Sequence, residues 1–308
     1  MQKLDQLRSN IRRCFMGNQQ AIDNLIVCLL ARGHMLIEDV PGVGKTMIAS
    51  ALARSLDCTI NRIQMTPDMM PSDVLGVTVW DQQQSEFIFK PGPIFSNVVL
   101  ADEINRTTPR TQSALLEAMN EGQVSIDGKT RQLIDPFIVI ATQNPFEFEG
   151  TYFLPESQLD RFLMRISLGY PSPADEARMA QINPSRTELR DLKPVMTADE
   201  LVKLQDQVSR VHVEPVLMNY AVSIAGATRN HEQVQVGVSP RGTLALLQAA
   251  RATAMLNDRD YAIPEDITSN AISVLSHRII VKTYTHDGDG IASHRLMHQI
   301  LESVPSPV

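Results

Sequence analysis

Met35-Leu-Ile-Glu38, a short apolar run closing on a carboxylate, is followed by Asp39, Val40, Pro41, Gly42, Val43, Gly44, Lys45 and Thr46, and then by the helix-forming stretch Met47-Ile-Ala-Ser-Ala-Leu-Ala-Arg54. Strand, glycine-containing loop and helix in that order make a phosphate-binding Walker A loop. Gly42 and Gly44 let the backbone curl so that successive N–H groups face inward at a helix N-terminus, which is an anion cradle. Lys45 is expected to reach the β- and γ-phosphates of a nucleotide, and Thr46 to place its hydroxyl on Mg²⁺. Asp39 stands where the G-x-x-x-x-G-K-[ST] pattern begins with glycine. Aspartate tolerates unusual backbone angles better than most residues, so the loop remains feasible. The whole run from Asp39 through Met47 is the candidate nucleotide-binding set.

Further along, Val98-Val-Leu-Ala-Asp102-Glu103-Ile-Asn105-Arg106 is an apolar strand ending in two carboxylates. Asp102 is expected to hold the hydration shell of the metal. Glu103 would orient and polarise an attacking water, the step that separates a hydrolase from a protein that only binds nucleotide. No Asn/Thr-Lys-x-Asp guanine motif is present, which speaks against a GTPase.

Composition sets the frame around these motifs. At 308 residues the chain is long enough for about two domains. Its 43% apolar and 20% charged residues predict a substantial core. Lys and Arg number 28 against 35 Asp and Glu, a net charge of -7, which makes nucleic acid an unlikely principal partner. Cys14, Cys28 and Cys58 form no Cys-x-x-Cys pair and support neither a disulfide framework nor a zinc knuckle. The N-terminal residues do not resemble a secretory signal, and no stretch approaches the roughly 18 apolar residues of a membrane span. A soluble, cytoplasmic protein is expected.

Leu4, Leu7, Ile11 and Phe15, then Ile22, Leu25, Ile26, Leu29 and Leu30, predict two amphipathic helices before the first strand. Strand-like runs at Thr59–Ile63, Val98–Ala101, Phe137–Ala141 and Phe162–Ile166 alternate with helical patterns, predicting an α/β fold with a parallel sheet. After Tyr170-Pro-Ser-Pro173 helical periodicity dominates. We therefore expect a three-layer α/β/α core over residues 1–173 and a small all-helical lid over 174–308. A turn-rich loop is expected over 283–290, before the last helix.

These motifs together resemble the MoxR family of AAA+ ATPases, in the clade with magnesium-chelatase subunits and minichromosome-maintenance helicases. Three more segments carry the resemblance: Ala141-Thr-Gln-Asn144-Pro145, Leu154-Pro-Glu-Ser-Gln-Leu-Asp160-Arg161-Phe162, and Gly237-Val-Ser-Pro-Arg241-Gly242. It covers almost the whole chain. It implies that Asn144 is sensor 1, contacting the γ-phosphate or the lytic water. Arg161 would be the arginine finger, reaching into a neighbouring subunit's ATP, with Arg165 as its rival. Arg241 would be sensor 2, on a lid helix capped by Ser239 and opened by Pro240, closing over the nucleotide. Asn105 would orient Glu103, and the adenine would lie against Met16, Gly17, Asn18 and Gln19 and against the lid.

Two inserts complete the reading. Residues 65–95 hold two alternating runs, Val77-Thr-Val-Trp80 and Phe87-Ile-Phe89, which predict a hairpin matching the clade's helix-2 insert. Lys90 is its one basic residue, against Asp68, Asp73, Asp81 and Glu86, so tracking of a phosphate backbone is improbable. Trp80, Phe87 and Phe89 are expected in the core. Residues 122–134, with the turn Asp127-Gly128, predict a second hairpin before sensor 1. Lys129 or Arg131 could meet a substrate there, or the turn could simply lie on the surface. The resemblance implies Mg-dependent ATP hydrolysis by a homo-oligomeric ring, expected to be a hexamer, acting on a protein client. It further implies a partner with a von Willebrand factor A domain and a part in maturation or metal-cofactor insertion. A DNA-associated AAA+ motor or loader is the alternative, and a nucleotide-gated binding module with negligible turnover a third.

Overall fold

A computed structural model describes residues 2–145, 150–182, 188–282 and 289–307. Helices α1 (Gln2–Cys14) and α2 (Gln19–Leu30) precede β1 (Met35–Glu38), as their spacing predicts. In α1 the residues Leu4, Leu7, Ile11 and Cys14 share one buried face. There follow α3 (Lys45–Ser55), β2 (Ile60–Gln64), α4 (Pro71–Leu75), the hairpin β3 (Gly76–Asp81) and β4 (Glu86–Pro91), and β5 (Val98–Asp102). Next come α5 (Pro109–Glu121), the hairpin β6 (Gln123–Ile126) and β7 (Lys129–Gln132), β8 (Ile138–Gln143), α6 (Glu156–Leu159) and β9 (Met164–Ile166). Both hairpins stand where the inserts place them.

The central sheet has the order β2-β5-β8-β1-β9, and every pairing is parallel. Its three central strands, β1, β5 and β8, are apolar up to their last one or two residues because helices cover both faces. Each of the three then ends in a polar group, so Asp102, Gln143 and Glu38 line up along the carboxyl edge, with Gln64 of β2 beside Asp102, where open α/β sheets bind their ligands. Strand β9 starts at Met164, two residues later than expected, because residues 161–163 form the turn that enters it.

Beyond β9 lie α7 (Pro173–Ile182), α8 (Glu188–Asp191), α9 (Ala198–Val208), α10 (Pro215–Asn230), α11 (Pro240–Leu256), α12 (Pro264–Leu275) and α13 (Asp289–Ser303). A two-stranded ribbon, β10 (Val234–Val236) with β11 (Ile280–Val281), also stands in this expected all-helical part. It ties the start of α11 to the end of α12. One hydrophobic cluster runs from α1 and α2 through α3 into α9 to α13, and Gln205 donates to the Leu29 carbonyl at 2.7 Å. The expected loop at 283–290 falls mainly outside the described residues. No helix among the described residues is long and apolar enough to cross a membrane.

His34, at the amino edge of the sheet, is buried between the sheet and α5. Its Nδ1 accepts the Val139 N–H at 3.0 Å, so the proton sits on Nε2 and is donated to the Met119 carbonyl at 2.9 Å. Burial pushes its pKa down from 6.5 to about 4, against the opposing pull of the Met119 carbonyl. Between those pH values the unfolded chain binds a proton that the folded chain refuses, so stability falls as pH drops through the window. The loss approaches about 3 kcal/mol for this group at the bottom of the window. His277, also buried and pushed down first by burial, adds to it in the same direction. Urea unfolding should give a lower midpoint at about pH 5 than at about pH 7.5, with the difference reduced in His34→Gln. Equal midpoints for the wild-type protein would refute a buried neutral His34.

Candidate functional site

The loop after β1 has the shape that its sequence predicts. Gly42 and Gly44 take φ of 89° and 98°, in the left-handed region open to glycine, and Gly44 caps the N-terminus of α3. The Phe15 ring lies beneath: a Cβ on Gly44 would come within 3.1 Å of it, and one on Gly17 within 2.5 Å. Gly44 is thus fixed by close approach as well as by turn geometry, Gly42 by turn geometry and Gly17 by close approach. Asn18, expected against adenine, uses its side chain to accept the Gln20 N–H and cap α2. Thr46 and Met47 occupy the first turn of α3.

Lys45 bends back over the loop, donating to the Asp39 carbonyl at 2.5 Å and to the Gln143 carbonyl at 3.4 Å. Burial lowers its pKa, against the attraction of Asp39, Asp102, Glu103 and Glu38. Held by two main-chain carbonyls at the start of α3, the Lys45 ammonium stands where phosphate charge can be met.

At the end of β5, Asp102 accepts the Thr142 hydroxyl at 2.6 Å and pairs with Arg62 at 2.6 Å. The same Thr142 oxygen receives the Glu103 N–H at 2.9 Å. One buried hydroxyl on the neighbouring strand therefore fixes the Asp102 carboxylate and the Glu103 backbone. Glu103 has φ 59°, a left-handed backbone unusual for a branched-free acidic residue and found at catalytic turns. Its carboxylate meets Gln64 at 2.8 Å and Arg106 at 3.2 Å.

Several expectations need correction. Asn105 does not orient Glu103: it is buried, its carbonyl accepts the Tyr152 N–H, and its Oδ1 has no hydrogen-bond partner among the described residues. Gln64 holds that position, because the parallel register sets it beside Asp102. Asp39 contributes backbone to the loop, but its carboxylate turns away to the residues after β9. Trp80 and Phe87 are not core residues. They stack edge to face at 5.0 Å on the first hairpin and are 52% and 72% exposed. Phe89 is half-buried on Phe95 and beneath Arg131, whose guanidinium lies 3.8 Å from the ring centre. Arg131 thus joins the two hairpins, leaving Lys129 exposed on the second.

The arginines occupy the other edge of the sheet. Arg161 donates to the Leu116 carbonyl on α5 at 2.8 Å, and Arg241 to Asn120, one turn further, at 2.5 Å. The neighbouring Met119 carbonyl contacts His34, just before β1, and the Leu163 N–H bonds the His34 carbonyl. The length of β1, about 13 Å at 3.3 Å per residue, separates this place from the phosphate loop. Ser239 and Pro240 do open α11 as expected, yet the helix brings Arg241 to α5 rather than over its own loop. Arg165 lies on β9, largely buried, 3.5 Å from Glu38 and from Ser293 on α13. Asn144 follows the last residue of β8, on the nucleotide edge.

A model of the ATPase family associated with various cellular activities (AAA) matches residues 34–164, and an AAA lid domain model matches residues 226–300. With the loop and the acidic strand end described above, this makes the chain an AAA ATPase with its lid. Across 97% of its length the chain is 48% identical to the uncharacterised Bacillus subtilis protein YeaC, covering 93% of that protein. It is 40% identical to the chaperone MoxR1 of Mycobacterium tuberculosis, over 96% of this chain and 80% of the relative. The crystal structure of a Cytophaga hutchinsonii protein assigned as an ATPase superposes with a TM-score of 0.91 at 35% identity, covering 100% of this chain and 96% of that one. The chain belongs to the MoxR family of AAA+ ATPases.

Proposed function

We propose that this chain hydrolyses ATP as a subunit of a homo-oligomeric ring, a hexamer, and uses the energy to remodel a protein client. The observation that carries the reading is the division of the site between two edges of one sheet. Lys45, Thr46, Asp102, Glu103 and Asn144 belong to the carboxyl edge, whereas Arg161 and Arg241 stand on the amino edge, beyond reach of their own loop. A neighbour that places its amino edge against this loop supplies both guanidiniums, and a closed ring does so for every subunit.

In the assembled site Gly42, Gly44 and the start of α3 cradle the phosphates while Lys45 exchanges its two carbonyls for phosphate oxygens. Glu103, held by Gln64 and Thr142, accepts a proton from the attacking water. Asn144 holds the water or the γ-phosphate, and the neighbour's arginines stabilise the charge that develops. The Thr46 hydroxyl and the Asp102 carboxylate are hard oxygen donors suited to Mg²⁺, which supplies charge neutralisation on the phosphates when bound. Arg62 beside Asp102 balances that carboxylate's charge.

The name of the mycobacterial relative supports a chaperone-like task, and the exposed Trp80 and Phe87, on a hairpin whose one basic residue is Lys90, suit contact with a protein rather than with a phosphate backbone. A partner with a von Willebrand factor A domain and a role in maturation or metal-cofactor insertion complete the proposal. Specific ATPase activity should rise with protein concentration in step with assembly, measured by coupling turnover to analytical ultracentrifugation. A purified monomer that hydrolyses ATP as fast as the ring would refute the division of the site.

A further inference from the structure

Asp39 sits where a phosphate loop ordinarily has glycine, and it is 9% exposed. Its Oδ2 accepts three hydrogen bonds, from the Ser167 hydroxyl and from the N–H groups of Leu168 and Gly169, each at 2.8 Å. Its Oδ1 accepts the Val40 N–H at 2.8 Å. Burial pushes this carboxyl up, but the bonds from Gly169, Ser167, Val40 and Leu168 outweigh it and hold the pKa below the ordinary value. Nothing in this arrangement suits a phosphate ligand, since an anion so held repels another. Glycine at this place would leave the buried Leu168 N–H and its neighbours without their acceptor.

The backbone of the same residue touches the other parts of the site. The Asp39 carbonyl takes the Lys45 ammonium, and the Asp39 N–H bonds the Gln143 carbonyl, next to Asn144. The peptide between Asp39 and Val40 is therefore gripped at both ends: its oxygen by Lys45, its N–H by the Asp39 carboxylate. Residues 167–169, on the far side of that carboxylate, lead from β9 to Tyr170 and on to α7, the way into the helical part. Gly169 turns there with φ 69°. A second link runs parallel, from Glu38 through Arg165 to Ser293 on α13.

We propose that Asp39 is a positioning residue that couples the phosphate loop to the 167–169 turn, so that the state of the nucleotide site reaches the helical domain. It rests on the ATPase reading above. A bound triphosphate competes for Lys45 and releases the Asp39 carbonyl. The freed peptide can reorient only by disturbing the bond from its N–H to the carboxylate, and that carboxylate holds the turn.

Hydrogen exchange on the full-length assembled protein, with and without a non-hydrolysable ATP analogue, tests the coupling. In the wild-type protein the analogue should change exchange at residues 167–170 by about threefold or more. Asp39→Gly and Asp39→Asn should bind the analogue within about threefold of wild type, lose that change, and lower kcat about tenfold with little change in KM. Retention of the nucleotide-dependent change in Asp39→Gly overturns the inference. So does a general rise in exchange that is the same with and without nucleotide, because that is a purely structural role. Should Asp39→Gly fail to fold, Ser167→Ala, which removes a single donor, must reduce the change, and an undiminished change overturns the inference. A wild-type protein that binds no nucleotide sinks the ATPase reading itself. Binding without any change at 167–170 sinks the coupling alone.

Discussion

Glu103→Gln binds ATP within about threefold of the wild-type protein and lowers kcat by about 10² to 10⁴. The substitution is close to isosteric, and its amide oxygen can still accept from Gln64, whose Nε2 lies 2.8 Å from the present carboxylate. The Glu103 N–H keeps its bond to Thr142, so the left-handed turn at the strand end stays in place. What disappears is a group able to take the proton of water at neutral pH. Equilibrium titration with a fluorescent ATP analogue together with single-turnover hydrolysis separates the two effects. Hydrolysis at the wild-type rate would remove Glu103 from the mechanism. Because the variant should hold ATP in the assembled state, it is also the form with which to capture a client.

Arg161→Ala lowers kcat by about 10³, the lower end of what arginine fingers supply, while each subunit's own phosphate loop stays intact. The stronger expectation concerns mixing. Arg161→Ala retains a sound carboxyl edge and Glu103→Gln a sound amino edge, so a ring holding both variants contains interfaces with every group present. At equal amounts and random order about a quarter of the interfaces are complete, and the mixture should recover activity that neither variant has separately. Arg241→Ala should complement Glu103→Gln in the same way, since Arg241 lies one turn of α5 from Arg161. Steady-state turnover of co-assembled variants is the measurement. A mixture that forms mixed rings yet stays as inactive as its components would show that the arginines do not act between subunits.

The parallel sheet, the glycine loop and the two acidic residues were legible because each is a local pattern: apolar runs, a strand-loop-helix order, a strand closing on carboxylates. The groups that hold the site are a different matter. Thr142 reads as one more residue of an apolar strand, and only the pairing of β8 with β5 brings its hydroxyl between Asp102 and Glu103. Gln64 and Arg62 acquire their roles from the register of β2 on β5, which no single strand encodes. Asn105 is nearer to Glu103 in sequence and was the natural expectation, but the turn after β5 buries it. Trp80 and Phe87 show the opposite failure. Hydrophobicity suggested the core, yet a two-stranded hairpin has faces that no helix covers. Arg241 was legible as the start of a capped helix, whereas where that helix lies depends on packing across some 120 residues of chain.

Arg278, in the short turn after α12, lies inside the molecule with its guanidinium bonded to the Asp160 carboxylate and to the carbonyls of Phe162, Leu163 and Val274. Asp160 and Phe162 flank Arg161 in sequence. The segment that would carry the proposed finger is thereby joined to the helical region of its own chain by buried bonds. If such pieces close into the proposed ring, the joints between them would be the nucleotide sites. A gap that widens at one site would be taken up by narrowing elsewhere around the circle, so turnover at one complete interface would be felt at its neighbours.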